Sequence, residues 1–434
     1  MATAKAPVAV STLSNADIMN SIRAISSSSY QDRIPLATQD SITETGNAIL
    51  SADLYYNEFL HNLVDKIAFQ YIHSFNLRNP LGEFKRGMMP WGKTIEEIFT
   101  DIAEANAYDP ELAEDEVFKR VIPDTSVIYH IINRADFYKQ TIEYASLSRA
   151  FYSEGGLSRL TETIYNALWN GDRYDEYNIM KQLVGQYYNN GYFYGVNVDA
   201  VVDETSAKSF VTSVRSYVSS MNLPSRKFNS MGVMRTVAPE DQVLFMRPEL
   251  DATVDVNVLA AAFNMSKAEF LARRIIVDDF GPNTENLLAV LVDREFIVQY
   301  DTVEKTEEIY NPQGLYWNIF LHHHGVYSTS RFANGVAFTS SAVSVTGVTV
   351  TPTTPVLPGR FADQKAAVTG AASAYVPQGV TWSVSGQTSS GTYIDKGGRL
   401  FVSSNETAES LTVKATSTYD TSKSGTATVS TKGA

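Results

Sequence analysis

The stretch from Leu157 to Tyr188 constrains this chain more than any other. Leu157, Leu160, Ile164 and Leu168 recur at three- and four-residue steps, and Tyr177, Met180, Val184 and Tyr187 or Tyr188 continue them. That period lines one face of an α-helix. Leu160, Ile164, Met180 and Val184 are its expected core contacts. Arg159, Glu162, Asp172, Asp175, Glu176 and Lys181 fall on the opposite, polar face. Gly156 before the stretch and Asn189-Asn190-Gly191 after it are stop signals. As one helix it would run roughly 45 Å at about 1.5 Å per residue. That exceeds what one small core needs and predicts a rod with a different layer packed along it. Gly171 leaves a second reading open, two ordinary helices meeting at a glycine, since a mid-helix Gly costs ~1 kcal/mol.

Composition narrows the class. The chain has 434 residues, 44% of them hydrophobic, enough for a large core and a second domain. Its net charge of −13 argues against a broad nucleic-acid surface, which needs Lys and Arg; a local basic patch stays open. With no cysteine, disulfide scaffolds, Cys-ligated zinc and thiol nucleophiles are excluded. No apolar run approaches the ~20 residues that cross a bilayer, so no membrane partner is expected. The first residues carry one Lys and no sustained apolar core, a poor secretory signal, so use in a cytosol is expected.

The rest of the chain reads in order as follows. Residues 1–45 are rich in Ser, Thr and Ala, with a short amphipathic helix over Asp17–Ile25, and read as an arm that packs on something else. Residues 47–70 have helical spacing. From Tyr71 to Lys93, Pro80, Gly82, Gly87, Pro90 and Gly92 exclude a helix. Alternation over Ile72–Leu77 predicts a strand, and Ile95–Ile102 a strand or short helix. Glu111–Phe118 reads as an acidic helical turn and Val127–Ile132 as a strand. Residues 71–135 thus form a long, partly basic excursion that leaves and returns. Length priors disfavour such a loop in a compact monomer, and reach onto a neighbour explains it better. Arg78, Lys85, Arg86, Trp91 and Lys93 are its expected contacts with another subunit, the cations meeting a neighbour's carboxylates. Helices over Ala207–Met221 and Val256–Phe263 interleave with strands near 192–198, 242–246, 275–277, 287–292, 296–300, 315–324 and 332–338. Residues 1–340 are therefore an α+β domain.

At about Ser340 the composition shifts to Ser, Thr, Val, Gly and Ala. Alternation at Val345–Val350, Val380–Val384, Leu411–Thr416 and Thr426–Ser430 predicts an all-β sandwich over 341–434. Gly397-Gly398 sits at a hairpin turn, and Trp382 is the expected core aromatic.

Groupings that could do chemistry are sparse. In a strand, only His322 and His324 of the triplet His322-His323-His324 would share a face, two ligands with no evident third, so a structural or interface role is preferred. Asp278-Asp279 and Glu307-Glu308 lie beside turns. The chain holds no P-loop, GxSxG or HExxH, and no GxGxxG after a strand. No enzyme, metal or cofactor is expected.

Several segments, in order, resemble the major capsid proteins of phi-29-like short-tailed phages. They are Asn79-Pro-Leu81 with Lys85 and Gly87, Thr94-Ile-Glu-Glu-Ile98, Asp175-Glu-Tyr177 with Met180, Leu183 and Tyr187-Tyr188, Asp255-Val256, Val258-Leu-Ala260 and Ala262-Phe-Asn-Met265. Asn311-Pro312, Gly314-Leu-Tyr-Trp-Asn318, Ser330-Arg-Phe-Ala-Asn334 and Val336-Ala-Phe338 complete the set, which spreads over most of residues 15–340. Val348-Thr-Val350, Val380-Thr-Trp-Ser383 and Leu411-Thr-Val-Lys-Ala415 resemble a bacterial immunoglobulin-like group 2 (BIG2) domain.

The resemblance implies the Hong Kong 97 (HK97)-type capsid fold. In it, 157–188 would be the spine helix, 71–135 the extended loop and 1–45 the N-terminal arm. Residues from about 192 to 300 would largely form the axial domain, and 315–338 the return to the peripheral domain. The implied function is a structural subunit, assembled in the host cytoplasm, whose hexamers and pentamers close an icosahedral virion shell around double-stranded DNA. Scaffolding and portal proteins are implied as partners, with the host cell surface a further one through the Ig-like domain. The alternative is a surface adhesin that binds carbohydrate through that domain.

Overall fold

The computed structural model describes residues 14–70, 77–89, 92–103, 105, 125–143, 156–261, 272–352 and 354–432. Trp91, the acidic turn at 111–118 and all but the last residue of the strand expected at 72–77 lie outside them. The helices are α1 (Asn15–Ile25), α2 (Ser28–Arg33), α3 (Ile42–Leu50), α4 (Asp53–Gln70), α5 (Gly156–Asn189), α6 (Glu204–Met221) and α7 (Pro248–Ala261). The strands before residue 340 are β1 (Lys85–Met88), β2 (Thr94–Thr100), β3 (Thr125–Ile131), β4 (Arg134–Glu143), β5 (Tyr194–Asn197), β6 (Gln242–Met246), β7 (Arg273–Ile276), β8 (Leu287–Asp293), β9 (Ile297–Asn311), β10 (Tyr316–Thr329) and β11 (Gly335–Thr339). After it come β12 (Gly347–Thr351), β13 (Phe361–Asp363), β14 (Lys365–Thr369), β15 (Val380–Ser385), β16 (Tyr393–Ile394), β17 (Arg399–Phe401), β18 (Ser410–Ser417) and β19 (Ser424–Ser430).

Two compact units share these elements. The first comprises Met1–Asn79, Arg134–Glu176 and Thr302–His324; the second comprises Pro80–Asn133, Tyr177–Asp301 and Gly325–Ala434. The long helix α5 and the strands β9 and β10 run through both.

The helix α5 is continuous, so Gly171 does not divide it. A Cβ at Gly171 would stand 3.4 Å from the Tyr138 ring, ordinary packing distance. The end of α5 is set by Gly191, whose φ of +70° suits glycine. There Gly191 N–H donates to Tyr188 O and Tyr192 N–H to Tyr187 O, the two bonds of a Schellman cap.

In the first unit, α1 opens with a capping box. Ser14 Oγ accepts from Asp17 N–H at 3.2 Å, and Asp17 Oδ2 accepts from Ser14 N–H at 3.1 Å. Met19, Ile22, Tyr30 and Ile34 are buried in one core with Phe59 and Leu63 of α4, Ile164 and Leu168 of α5, and Ile319 and Leu321 of β10. Residues 15–34, expected to form an arm that packs elsewhere, thus lie inside their own unit, because the apolar stripe of α1 is covered by its own chain. The helical run at 47–70 is split at Ser51-Ala52 into α3 and α4.

In the second unit, a five-stranded sheet has the order β5-β11-β8-β6-β7. Its strands alternate between two cores with a period of two. Val243, Phe245, Val290, Val292 and Ala337 face Met180, Val184 and Tyr187 of α5. Leu244, Met246, Ala289, Leu291, Val336 and Phe338 face Phe210, Val214 and Val218 of α6. A sheet covered on both faces explains why β6, β8 and β11 read as unbroken apolar runs.

Strands β12–β19 form three small sheets, β12-β14, β13-β17-β16 and β15-β18-β19, all antiparallel. Val348, Val350, Leu400, Leu411, Val413 and Val429 are buried between them, and Trp382 is partly buried against that core. Tyr375 leaves it and stacks on Tyr188 of α5, with centroids 4.5 Å apart and planes at 11°. Its hydroxyl donates to Phe193 O at 3.0 Å.

One expectation for α5 is corrected. Asp172, Glu176 and Lys181, assigned to an outward polar face, are 3%, 5% and 7% exposed. In the first unit Asp172 pairs with Arg134 at 2.7 Å and His323 at 2.6 Å, and Asn79 donates to Glu176 at 3.1 Å. In the second, Lys181 pairs with Asp278 and Asp279 at 2.8 and 2.9 Å. Each of these three charges is covered within its own unit and matched by a partner instead of water, while Tyr174, Gln182 and Gln186 keep an exposed stripe on the helix.

Candidate intersubunit surface

The excursion at 71–135 begins by returning to its own body. Leu81 and Phe84 are buried beside Phe245 and Met180. Strand β1 pairs in parallel with β9, and Lys85 Nζ lies 2.5 Å from the buried Asp301 carboxylate. Arg86 donates to Glu295 O at 2.9 Å. Arg78 and Lys93 are exposed. Gly87 and Gly92 have φ of +100° and +93°, which L side chains rarely adopt.

The antiparallel pair β2–β3 then presents two unlike faces. The inner face is latched to the second unit. Phe99 stacks on Phe332 at 5.5 Å, and Ile128 packs with Met231, Val233 and Phe332. His130 Nδ1 sits 2.8 Å from Ser328 Oγ and its Nε2 3.1 Å from Glu97 Oε2; Ser330 Oγ donates to Glu97 Oε1 at 2.6 Å. Burial alone raises the pKa of the Glu97 carboxyl, but the His130 and Ser330 hydrogen bonds outweigh it and hold it below its ordinary value.

The outer face is bare and carries an apolar row beside Thr94, Glu96, Thr100 and Thr125, with Tyr129 OH donating to Glu96 Oε1 at 3.0 Å. Ile98 sits directly across from Val127, with Tyr129 and Ile131 in line, and Ile98, Tyr129 and Ile131 are 58%, 64% and 64% exposed. Contiguous exposed apolar side chains on a strand pair mark a surface made to be covered. The cations chosen from sequence sit at the entrance of this excursion, and the apolar row was missed. Its signal is legible afterwards: Ile98, Val127, Tyr129 and Ile131 fall on one parity of the two strands.

The other groupings resolve into structure. His323 is fully buried beside Asp172, while His322 and His324 share the opposite face of β10 with rings 6.3 Å apart. Asp278 and Asp279 hold Lys181. Glu307 pairs with Lys305, and Glu308 lies 2.6 Å from His61. Among the described residues, no helix is long and apolar enough to cross a membrane.

Comparison with known proteins agrees with this picture. The family model described as Phi29-like phage major capsid protein matches residues 19–339. The major capsid protein of Bacillus phage B103 is 41% identical over 411 residues, covering 92% of this chain and 89% of that protein. That of Streptococcus phage Cp-1 is 31% identical over 343 residues, covering 74% and 93%. Among solved structures, the capsid structure of Staphylococcus phage Andhra superposes with a TM-score of 0.50 at 13% identity, covering 62% of this chain and 86% of that one. A chain from a structure of the head fiber and inner core protein gp22 of native bacteriophage P68 gives 0.51 at 13% identity, covering 62% and 87%.

The family match and the relatives, on a mixed α/β fold shared with phage capsid structures, define a phage shell subunit rather than an enzyme. The chain belongs to the Phi29-like phage major capsid protein family, and it is a structural protein of the virion that assembles with other subunits into the phage head.

Proposed function

We propose that this subunit builds an HK97-type icosahedral shell of hexamers and pentamers around double-stranded DNA. In this reading α5 is the spine, β2–β3 the root of the extended loop, and residues from about 192 to 300 the axial region. The observation that carries it is the bare row Ile98, Val127, Tyr129 and Ile131, opposite a face latched to its own body. A neighbouring subunit covers that row and gains about 25 cal/mol per Å² of apolar surface buried, repeated at every contact of a closed symmetry. The exposed Arg78 and Lys93 meet a neighbour's carboxylates, while Lys85 anchors the loop internally through Asp301. Scaffolding and portal proteins complete the assembly.

The test is the double variant Ile98→Lys with Tyr129→Lys. Both side chains are exposed and Lys at 129 faces Glu96 across the strand pair, so circular dichroism and melting stay close to the parent. Electron microscopy is expected to show no closed shells. Normal particles from a folded double variant would refute the role of this face.

The C-terminal strands we read as an immunoglobulin-like domain of the BIG2 type, supported by their antiparallel sheets and separate core. A second reading gives this domain a host-surface contact. Phe361, Phe401 and Tyr393 stand side by side across β13, β17 and β16, with Phe361 63% and Tyr393 48% exposed. Such a row of rings suits the apolar face of a sugar. Loss of particle retention on host cell walls in Phe361→Ser with Tyr393→Ser is the expected result, and unchanged retention excludes it.

A further inference from the structure

A cleft of about 880 Å³ opens in the second unit between the C-terminal strands and the end of α5. Its volume is within the usual range for small-molecule sites. Three features set it apart from ordinary surface.

The first is charge. In a chain of net charge −13, its lining includes Arg331, Lys365 and Lys396 and no carboxylate. Lys396 also pairs with Asp101, a carboxylate it shares with Arg226 and which neutralises it in part. Arg331 is held over the Tyr192 ring at 4.5 Å, and its Nε donates to Ser230 Oγ at 3.1 Å. Its guanidinium is therefore positioned before any ligand arrives.

The second is an unsatisfied amide. Gln364 borders the cleft and is 2% exposed, yet neither Oε1 nor Nε2 has a hydrogen-bond partner among the described residues. Gln378 on the same cleft shows the contrast. Its Oε1 accepts from Val368 N–H at 2.9 Å and its Nε2 donates to Val368 O at 2.9 Å. Buried side-chain amides are paired in the great majority of cases, so an empty one beside a cavity marks a group awaiting a partner.

The third is the aromatic wall. Tyr192 and the partly buried Trp382 line the cleft and offer flat apolar surface.

We propose that this cleft binds a small hydroxylated oxyanion, of the sugar phosphate class. The cations take the phosphate, and Gln364 pairs with a hydroxyl that accepts and donates at once. The apolar face of the sugar ring lies against Trp382, since Arg331 already covers the Tyr192 ring. The inference is independent of how subunits contact one another.

The experiment titrates the full-length protein with glucose 6-phosphate, inorganic phosphate and glucose, by calorimetry and by thermal shift. Glucose 6-phosphate is expected to bind saturably and raise the melting temperature, with inorganic phosphate weaker and glucose without effect. Gln364→Leu keeps the shape of the side chain and removes the unpaired amide, so it folds at least as stably. It should weaken glucose 6-phosphate by about tenfold and leave inorganic phosphate unchanged. Arg331→Gln should weaken both. The proposal fails if no probe binds saturably at millimolar concentration. It also fails if inorganic phosphate matches glucose 6-phosphate and Gln364→Leu changes nothing.

Discussion

Arg134 Nη2 and Asp172 Oδ1 form an ion pair at 2.7 Å, with side chains only 2% and 4% exposed. His323 Nδ1 lies 2.6 Å from the same carboxylate oxygen, and Tyr138 accepts from Arg134 at 2.9 Å while donating to Asp175 at 2.7 Å. The network joins β4, α5 and β10 inside the first unit, where an apolar core would also have served. A matched buried pair adds little net stability, but a broken one is costly, because the remaining charge has no water.

Asp172→Ala should therefore destabilise by about 1–3 kcal/mol: it removes the acceptor shared by Arg134 Nη2 and His323 Nδ1, while Asp136 stays 3.0 Å from Arg134 Nε. Urea unfolding followed by circular dichroism measures it, and an unchanged midpoint would show that the Asp172 carboxylate carries no net stability.

Gly171 and Gly185, both inside α5, should respond in opposite ways. At Gly171 a Cβ meets only the Tyr138 ring at 3.4 Å, so Gly171→Ala gains helix propensity of up to ~1 kcal/mol. At Gly185 a Cβ would stand 1.8 Å from Phe280 O, a backbone atom, so Gly185→Ala must push the chain aside and costs at least 1–3 kcal/mol. Thermal melts of the two variants decide it; equal shifts of the same sign would contradict the packing described.

Tyr375→Ala should cost about 3–5 kcal/mol, as for other large aromatic truncations, by removing the ring stacked on Tyr188. Tyr375→Phe keeps the stack and loses only the hydrogen bond to Phe193 O, about 1 kcal/mol. Limited proteolysis should release the C-terminal strands from the alanine variant and leave the phenylalanine variant intact.

Acid should loosen the β2–β3 pair. The Glu97 carboxyl is held below its ordinary value in the fold, so its contribution is present above the unfolded glutamate range and is lost as the pH falls through its lowered value. Hydrogen exchange at Thr94–Thr100 and Thr125–Ile131 is expected to speed up once the pH falls below the ordinary glutamate range. Glu97→Gln keeps the shape and should flatten that dependence; an unchanged acid response in the variant would remove Glu97 as its source.

Much of the fold is legible in local pattern. The apolar steps from Leu157 to Tyr188 name a helix, Gly191 closes it, and the runs at Gln242–Met246 and Leu287–Asp293 are strands because no helix period fits them. The turn at Gly397 is equally local, with Gly398 at φ +87°. The candidate surface is half legible, since alternation in Thr94–Thr100 and Thr125–Ile131 gives two faces but not which one is bare. What only the tertiary structure decided are pairings over long sequence separation. Asp172 reads as a solvent-facing charge until Arg134 and His323 are brought to it across 38 and 151 residues. Tyr375 reads as part of a separate sandwich until Tyr188 meets its ring. The physical reason is that helix and strand periods are fixed by neighbours a few residues away, whereas burial of a charge or a ring is fixed by whatever surface the rest of the chain lays over it.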